Sequence, residues 1–297
     1  MVLNIRNIAA IAYSYFLIFS GKIKRVKKMA AKGEIILSVY FHNPKKELFN
    51  NCVKWFLKNG FHFISVDELN IIIENNDPFP PSSVVFTVDD GWKENKENII
   101  SVVDKYKIPL TIFITTSPVE TGEAYWWSYA LKANQQGIIS NSVENLKRVS
   151  NLNRLSIIEN VKSKIKLNRE ALSINEIKEI NQIKYLTIGS HTVNHPILTN
   201  CDHDTSHLEI IESKNKIEKW IRNPVLHFAY PNGCYSYREI NILKNNGYKT
   251  AFTTVPDYVK NTKYLDKFQI PRFDVLENIS NIENLCRMTG IWFDRKK

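Results

Sequence analysis

Asp89 and Asp90 close an apolar run, Val84-Val85-Phe86-Thr87-Val88, and are followed at once by Gly91. About a hundred residues later a second apolar run, Tyr185 to Ile188, leads into Gly189-Ser190-His191-Thr192-Val193-Asn194-His195. Adjacent carboxylates at the end of a buried parallel strand, and two imidazoles four residues apart after another, are groups that bind metal and move protons. Two imidazoles and one carboxylate form a three-ligand set for a catalytic zinc that leaves a coordination position open for water. The other aspartate is then free to act as a base. That chemistry is metal-assisted hydrolysis.

Such groups need a scaffold that brings distant strand ends together. Candidate strands are Ile35–Phe41, Val84–Val88, Leu110–Thr115, Tyr185–Gly189, Val225–Ala229 and Thr250–Thr254, with a weaker one at Gln269–Val275. Helical stretches fall near 48–59, 66–75, 94–106, 173–182, 206–222 and 236–246, and Ser206 with Glu209 reads as a capping box for the fifth. Alternation of strand and helix predicts an α/β fold with a parallel sheet or barrel, whose chemistry sits at the carboxyl ends of the strands. Residues 128–182 exceed one crossover and read as an all-helical insertion.

Three phrases in this order resemble the polysaccharide deacetylases, the NodB-homology group of carbohydrate esterases (family 4). Thr87-Val88-Asp89-Asp90-Gly91 is similar to their TFDDG motif, and His191-Thr192-Val193-Asn194-His195 matches their H(S/T)xxH motif. Phe228-Ala229-Tyr230-Pro231-Asn232-Gly233 resembles their proline-centred third motif. The resemblance spans roughly residues 34 to 275, including Tyr40-Phe41-His42 and Ile270-Pro271-Arg272. It implies a distorted (β/α) barrel and removal of N-acetyl groups from amino sugars. Residue by residue, it makes Asp89 the general base and Asp90, His191 and His195 the ligands of one divalent metal. Zinc is expected, with cobalt, nickel or manganese as alternatives. The backbone N–H near Asn232 would supply part of an oxyanion hole.

The chain departs from that family pattern twice. The third motif lacks its leading arginine, reading Leu226-His227-Phe228, and no histidine follows His227 to serve as the late general acid. His42, at the end of the first strand, is the candidate acid, and a strand ending of this type resembles the subgroup that acts on poly-N-acetylglucosamine. Arg272 is the candidate replacement for the arginine beside Asp89. The expected substrate is an N-acetylated surface glycan or its lipid-linked precursor. A deformylase of another lipid-linked amino sugar, or a lapsed glycan-binding module, are the alternatives.

Each of these residues also has a plainer reading. Asp89 and Asp90 would suit the first turn of a helix starting near Trp92. His42 and Arg272 could serve a strand end and an ion pair. His203 and His207, near Cys201, Asp202 and Asp204, form a weaker metal cluster because a helix beginning at Ser206 would split them between loop and helix. Trp126 and Trp127 are equally suited to stacking on a sugar and to packing the insertion.

The 297 residues suffice for a sizeable core, and 43% hydrophobic with 11% aromatic residues excludes a largely disordered chain. Four dispersed cysteines form no CxxC pair and suit free thiols in a cytoplasmic setting. The net charge of +10 is partly local: Lys22, Lys24, Arg25, Lys27, Lys28 and Lys32 lie close together. No nucleic-acid-binding motif accompanies it, so nucleic acid is not an expected partner. Ile8 to Phe19 is short for a membrane span, yet Ile5, Ile8, Ala12, Tyr15 and Phe19 share one helical stripe. Residues 1–32 are therefore expected to lie on an anionic inner-membrane surface ahead of a catalytic domain over 33–297, with an amphipathic helix packed on the domain's own surface, or a signal or signal-anchor, as the alternatives.

Overall fold

The chain was analysed as a computed structural model that describes residues 5–261 and 265–294. Its strands are β1 (Ile35–Phe41), β2 (His62–Phe63), β3 (Ser83–Val88), β4 (Leu110–Ile114), β5 (Leu186–Ser190), β6 (His227–Ala229), β7 (Thr250–Phe252), β8 (Val259–Lys260) and β9 (Phe273–Asp274). The main path runs β7-β6-β5-β4-β3-β1-β8, with β2 added to β3 and β9 to β1. Every pairing is parallel except that of β8 with β1. The expected strands are all present. β2 and β8 are two-residue strands, too short to show a sequence period.

The sheet curls until its edges meet through one stretch of chain. Ile270 bridges Phe252 of β7, and β9, three residues on, pairs with Val39 and Tyr40 of β1. The result is the distorted (β/α) barrel expected from the sequence. β1, β3 and β4 are buried along their whole length, as strands with both faces covered must be.

Side-chain alternation sorts these strands into two apolar sets. Ile36, Val85, Phe113, Ala229, Phe252 and Ile270 form one cluster between the curled strands. Leu37, Val39, Phe41, Val84, Phe86 and Val88 belong to the other, with Phe49 and Phe56 from the surrounding helices. Gly189 is required where β4 and β5 touch: a Cβ there would lie 2.5 Å from the Phe113 ring.

Thirteen α-helices surround the sheet among the described residues: α1 (Ile5–Phe19), α2 (Lys22–Ala31), α3 (Lys46–Lys58), α4 (Val66–Asn75), α5 (Ser101–Tyr106), α6 (Thr116–Thr121), α7 (Trp126–Gln135), α8 (Val143–Leu146), α9 (Asn151–Lys162), α10 (Ile174–Ile180), α11 (His203–Ile221), α12 (Tyr237–Asn245) and α13 (Asn281–Met288). Helix α3 buries Phe49, Cys52, Val53 and Phe56, one stripe at spacings of three and four. Capping boxes begin α4 (Ser65 with Glu68), α10 (Ser173 with Glu176) and α12 (Ser236 with Glu239). The stretch expected as one helix over 94–106 opens with a π-helical turn, Lys96–Ile100, before α5. Helices α7 to α10 occupy the long β4–β5 connection.

Two sequence readings need correction. Helix α11 begins earlier than expected, with Asp202 as its N-cap accepting from Thr205 N at 2.7 Å. Ser206 and Glu209 make no capping box. Both are buried and turn to other partners, because a carboxylate that far inside the fold is held by donors from neighbouring elements rather than by its own helix end. His203 and His207 consequently lie on one helix and stack at 6.2 Å instead of being split between loop and helix. All four cysteines are free, and Cys52 is buried.

Candidate metal centre and active site

The interior register of the strands selects which side chains reach the mouth of the barrel. Continuing from Ile36 by twos gives Ser38, Tyr40 and His42; from Val85, Thr87 and Asp89; from Gly189, His191. The strand pairings bring these ends to the same rim of the sheet in a stagger: Phe41 lies opposite Val88 and Val88 opposite Ile112, while Ser190 lies opposite Ile114, two residues further along β4. His42, Asp89 and His191 therefore line one cleft of about 500 Å³, together with Asp90, His195, Asn232, Tyr40, Trp92, Trp127 and Thr254. That size suits a small-molecule site.

Asp90 is out of strand register and reaches the same cleft by backbone conformation. Its φ is +74°, in the left-handed region that favours glycine, and Gly91 follows at +83°. Thr192 (+69°), His195 (+49°) and Asn232 (+57°) share this trait, so four of the eight non-glycine positive-φ residues among the described residues belong to the site loops. A β-branched threonine in that region is unfavourable on its own and persists only where surrounding contacts hold it.

Asp90, His191 and His195 offer ligand atoms that all lie within 4.8 Å of one another. Asp90 Oδ1 is 3.6 Å from Nε2 of each histidine. Ligands about 2.1 Å from a tetrahedral metal are separated by about 3.4 Å, so the spacing fits a zinc-sized ion. The hydrogen bonds agree with that use. His191 Nδ1 is 2.7 Å from the Ala229 carbonyl, which can only accept, so Nδ1 carries the proton and Nε2 presents a lone pair. Asp90 Oδ2 accepts from Trp92 Nε1 at 2.9 Å, whereas the buried Oδ1 has no partner. Burial holds both histidines below the usual imidazole range, His195 well below it, although the charges of Asp89 and Asp90 partly counter the effect at His191. Neutral imidazole is the form that binds metal.

Asp89 lies apart from that set. Arg272 donates Nη1 to Oδ1 at 2.7 Å and Nη2 to Oδ2 at 2.8 Å, and both side chains are buried. The guanidinium is itself held by Thr253 O, by Thr87 Oγ1 and over the Tyr40 ring at 4.3 Å. Burial alone would raise the Asp89 carboxyl, but the Arg272 charge, the neighbouring His191 and the Arg272 hydrogen bonds together outweigh it and keep the group below the usual carboxylate range. A carboxylate that accepts one bond on each oxygen still has lone pairs free for a water proton. Asn232 lines the same cleft, and its backbone N–H has no backbone partner among the described residues.

Several residues that bear on the site escaped sequence reading. Trp92 is one. Glu209 is another: it accepts from Val193 N, Asn194 N and Asn194 Nδ2 at 2.8–2.9 Å and so pins the loop between the two histidines. Its only sequence signal is an acidic residue at a position that faces inward. Trp126 and Trp127 both line the cleft and both pack against the insertion, to different degrees. Trp126 is buried, donates to His195 O at 3.0 Å and packs with Ala130, Leu146 and Ile158 of the insertion. Trp127 is half-buried, stacks on Tyr125 at 4.4 Å and meets the His195 ring at 4.7 Å on the cleft side. Asp90, His191 and His195 form the only cluster of three or more metal-ligating groups found among the described residues, and it does not include His203 or His207.

A sequence profile described as polysaccharide deacetylase matches residues 76–251. YxkH of Bacillus subtilis (strain 168), named as a candidate polysaccharide deacetylase, is 22% identical over 213 residues, covering 72% of this chain and 59% of its own length. The chain thus spans less than two thirds of that relative. Among solved structures, the Streptococcus pyogenes deacetylase PplD in complex with acetate superposes with a TM-score of 0.63 at 21% identity, covering 86% of this chain and 98% of PplD. IcaB from Ammonifex degensii gives a TM-score of 0.63 at 16% identity, with 87% and 98% covered. At such identities the structural likeness establishes the fold.

Proposed function

The chain belongs to the polysaccharide deacetylase family, and we propose that it hydrolyses the N-acetyl groups of amino sugars in a surface polysaccharide or its lipid-linked precursor. The observation that carries this reading is the convergence of Asp90, His191 and His195 beside an Asp89 that Arg272 keeps ionised. A divalent metal, zinc by the fit of its ligands, supplies Lewis-acid polarisation of the amide carbonyl and lowers the pKa of water towards about 7 when held by those three residues.

The remaining steps belong to the chain. Asp89 takes the proton of the attacking water, and Arg272 keeps its carboxylate oriented and charged while it does so. The Asn232 N–H faces the carbonyl oxygen as negative charge develops on it. His42 gives a proton to the departing amine nitrogen, without which the amine is a poor leaving group. One water is consumed, and the products are acetate and a free amino sugar. Trp127 offers a ring face to a pyranose at the cleft wall.

The test is acetate release from N-acetylglucosamine oligomers by the zinc-loaded chain, with Asp89→Asn alongside. Release by the wild type but not the variant supports the reading. No release from a fully metal-loaded wild type overturns it.

A further inference from the structure

Helix α1 is turned inside out. The side chains it buries are Asn7, Ala10, Ser14 and Leu17, spaced three and four apart, which makes the inward stripe mostly polar and small. That stripe is fastened by specific bonds: Arg6 forks onto Glu283 of α13 at 2.8 and 3.0 Å, and Cys286 Sγ meets Ser14 O at 3.6 Å. The outward side carries Ile5, Ile8, Tyr15, Phe16 and Phe19. Ile5 is 88% exposed, Phe16 65% and Phe19 84%, while Ser14 on the inner side is 0% exposed. A helix that merely packs on its own domain has the opposite pattern. Isolated exposed apolar residues need no explanation, but a run of them along one helix does.

The neighbouring helix supplies charge. After Gly21, which adopts φ +80°, α2 exposes Lys24, Arg25 and Lys28, and Lys32 follows at its C-cap. Lys22, Lys27 and Lys32 are already engaged, with Asp294, Asn59 and Glu34, which leaves Lys24, Arg25 and Lys28 as the exposed cations of α2. We propose that α1 lies in the plane of an anionic lipid surface, its apolar face sunk among the acyl chains and the cations of α2 against the headgroups. Interfacial helices combine these two features. At 15 residues, α1 is about 22 Å long, short of the roughly 30 Å hydrocarbon core, and no helix of the described residues is long and apolar enough to cross a membrane. A second copy of the chain is the less suitable occupant. A two-fold contact through α1 would bring the two sets of α2 cations towards each other, whereas anionic lipid neutralises them.

The experiment is sedimentation of the full chain with phosphatidylcholine vesicles, with and without phosphatidylglycerol. The expected result is binding to the anionic vesicles that weakens as salt is raised. It should fall roughly tenfold or more in Phe16→Ser/Phe19→Ser and, separately, in Lys24→Glu/Arg25→Glu/Lys28→Glu. Both variants alter exposed side chains, so their thermal melting and turnover of a soluble oligosaccharide should match the wild type. Failure to sediment with anionic vesicles overturns the proposal, as does undiminished binding by the Phe16/Phe19 variant. A wild type that is dimeric, loses the dimer in that variant and ignores vesicles would assign the face to a second copy and overturn it equally.

Discussion

Arg272 and Asp89 share two parallel hydrogen bonds, Nη1–Oδ1 at 2.7 Å and Nη2–Oδ2 at 2.8 Å, with neither side chain open to solvent. The fork fixes the carboxylate plane as well as its charge. It also explains how two adjacent aspartates divide their duties: one is committed to the guanidinium, and the other presents an unpartnered oxygen to two imidazoles.

Removing the arginine strands a buried charge. Arg272→Met is expected to lower unfolding free energy by about 3–5 kcal/mol, read from urea denaturation. Adding Asp89→Asn in the same chain should recover part of that loss. Equal stability of Arg272→Met and wild type would show that the pair is solvated after all.

Asp89→Asn alone is expected to keep metal stoichiometry while turnover drops on the order of 10²–10⁴-fold, since an amide cannot accept the proton. Metal content by mass spectrometry and acetate release measure the two effects separately. Joint loss of both would make Asp89 a ligand.

Trp92 Nε1 holds Asp90 Oδ2 and thereby aims Oδ1 at the histidines. In Trp92→Phe, zinc affinity should weaken about 10–100-fold, as measured by calorimetric titration. An unchanged affinity would reduce the indole to packing.

His42 is the histidine on the cleft wall outside the three-ligand set. His42→Ala is expected to cut turnover roughly 10²-fold with metal content unaltered. Near-normal turnover would require water or another side chain to protonate the amine.

Glu239 is buried and accepts from Ser236 N, Ser236 Oγ, Ser206 Oγ and Arg238 Nε at 2.6–2.8 Å. Burial alone would raise its carboxyl, but these donors together hold it below the usual range. Its stabilisation is therefore complete above the unfolded-state pKa and is lost as pH falls through the lower folded-state value. Glu239→Gln should cost about 1–3 kcal/mol at neutral pH, and the difference from wild type should shrink on acidification. A gap that stays constant into acid would place the loss elsewhere.

What the sequence revealed and what it withheld follow from where the information resides. The strands were legible because barrel walls demand continuous apolar runs, and the interior register carried by Val85, Thr87 and Asp89 is a period of two that needs no partner to be seen. The pairing of Arg272 with Asp89 could be proposed from their charges but not placed, since Arg272 stands just before β9 and does not close a strand, whereas Asp89 directly follows β3. Asp90 was harder, since its direction depends on a left-handed backbone that aspartate tolerates but that the flanking sequence does not announce. Glu209 was misplaced, because a capping box is a local pattern and its actual partners, Val193 and Asn194, lie fifteen and more residues away. The outward face of α1 could be listed as a stripe but not oriented, since a helix's sequence does not say which side meets the domain.

The stretch that joins the two edges of the sheet also carries Arg272, so sealing the barrel and fixing the Asp89 carboxylate are one event. The Arg272–Asp89 bonds close a loop of 183 residues, and contacts of such separation are among the last to be rewarded during folding. A chain emerging from synthesis can pair β1 with β3 and gather its metal ligands while Asp89 still lacks its partner. Hydrolytic competence should consequently appear late and abruptly in refolding, after most of the secondary structure has formed.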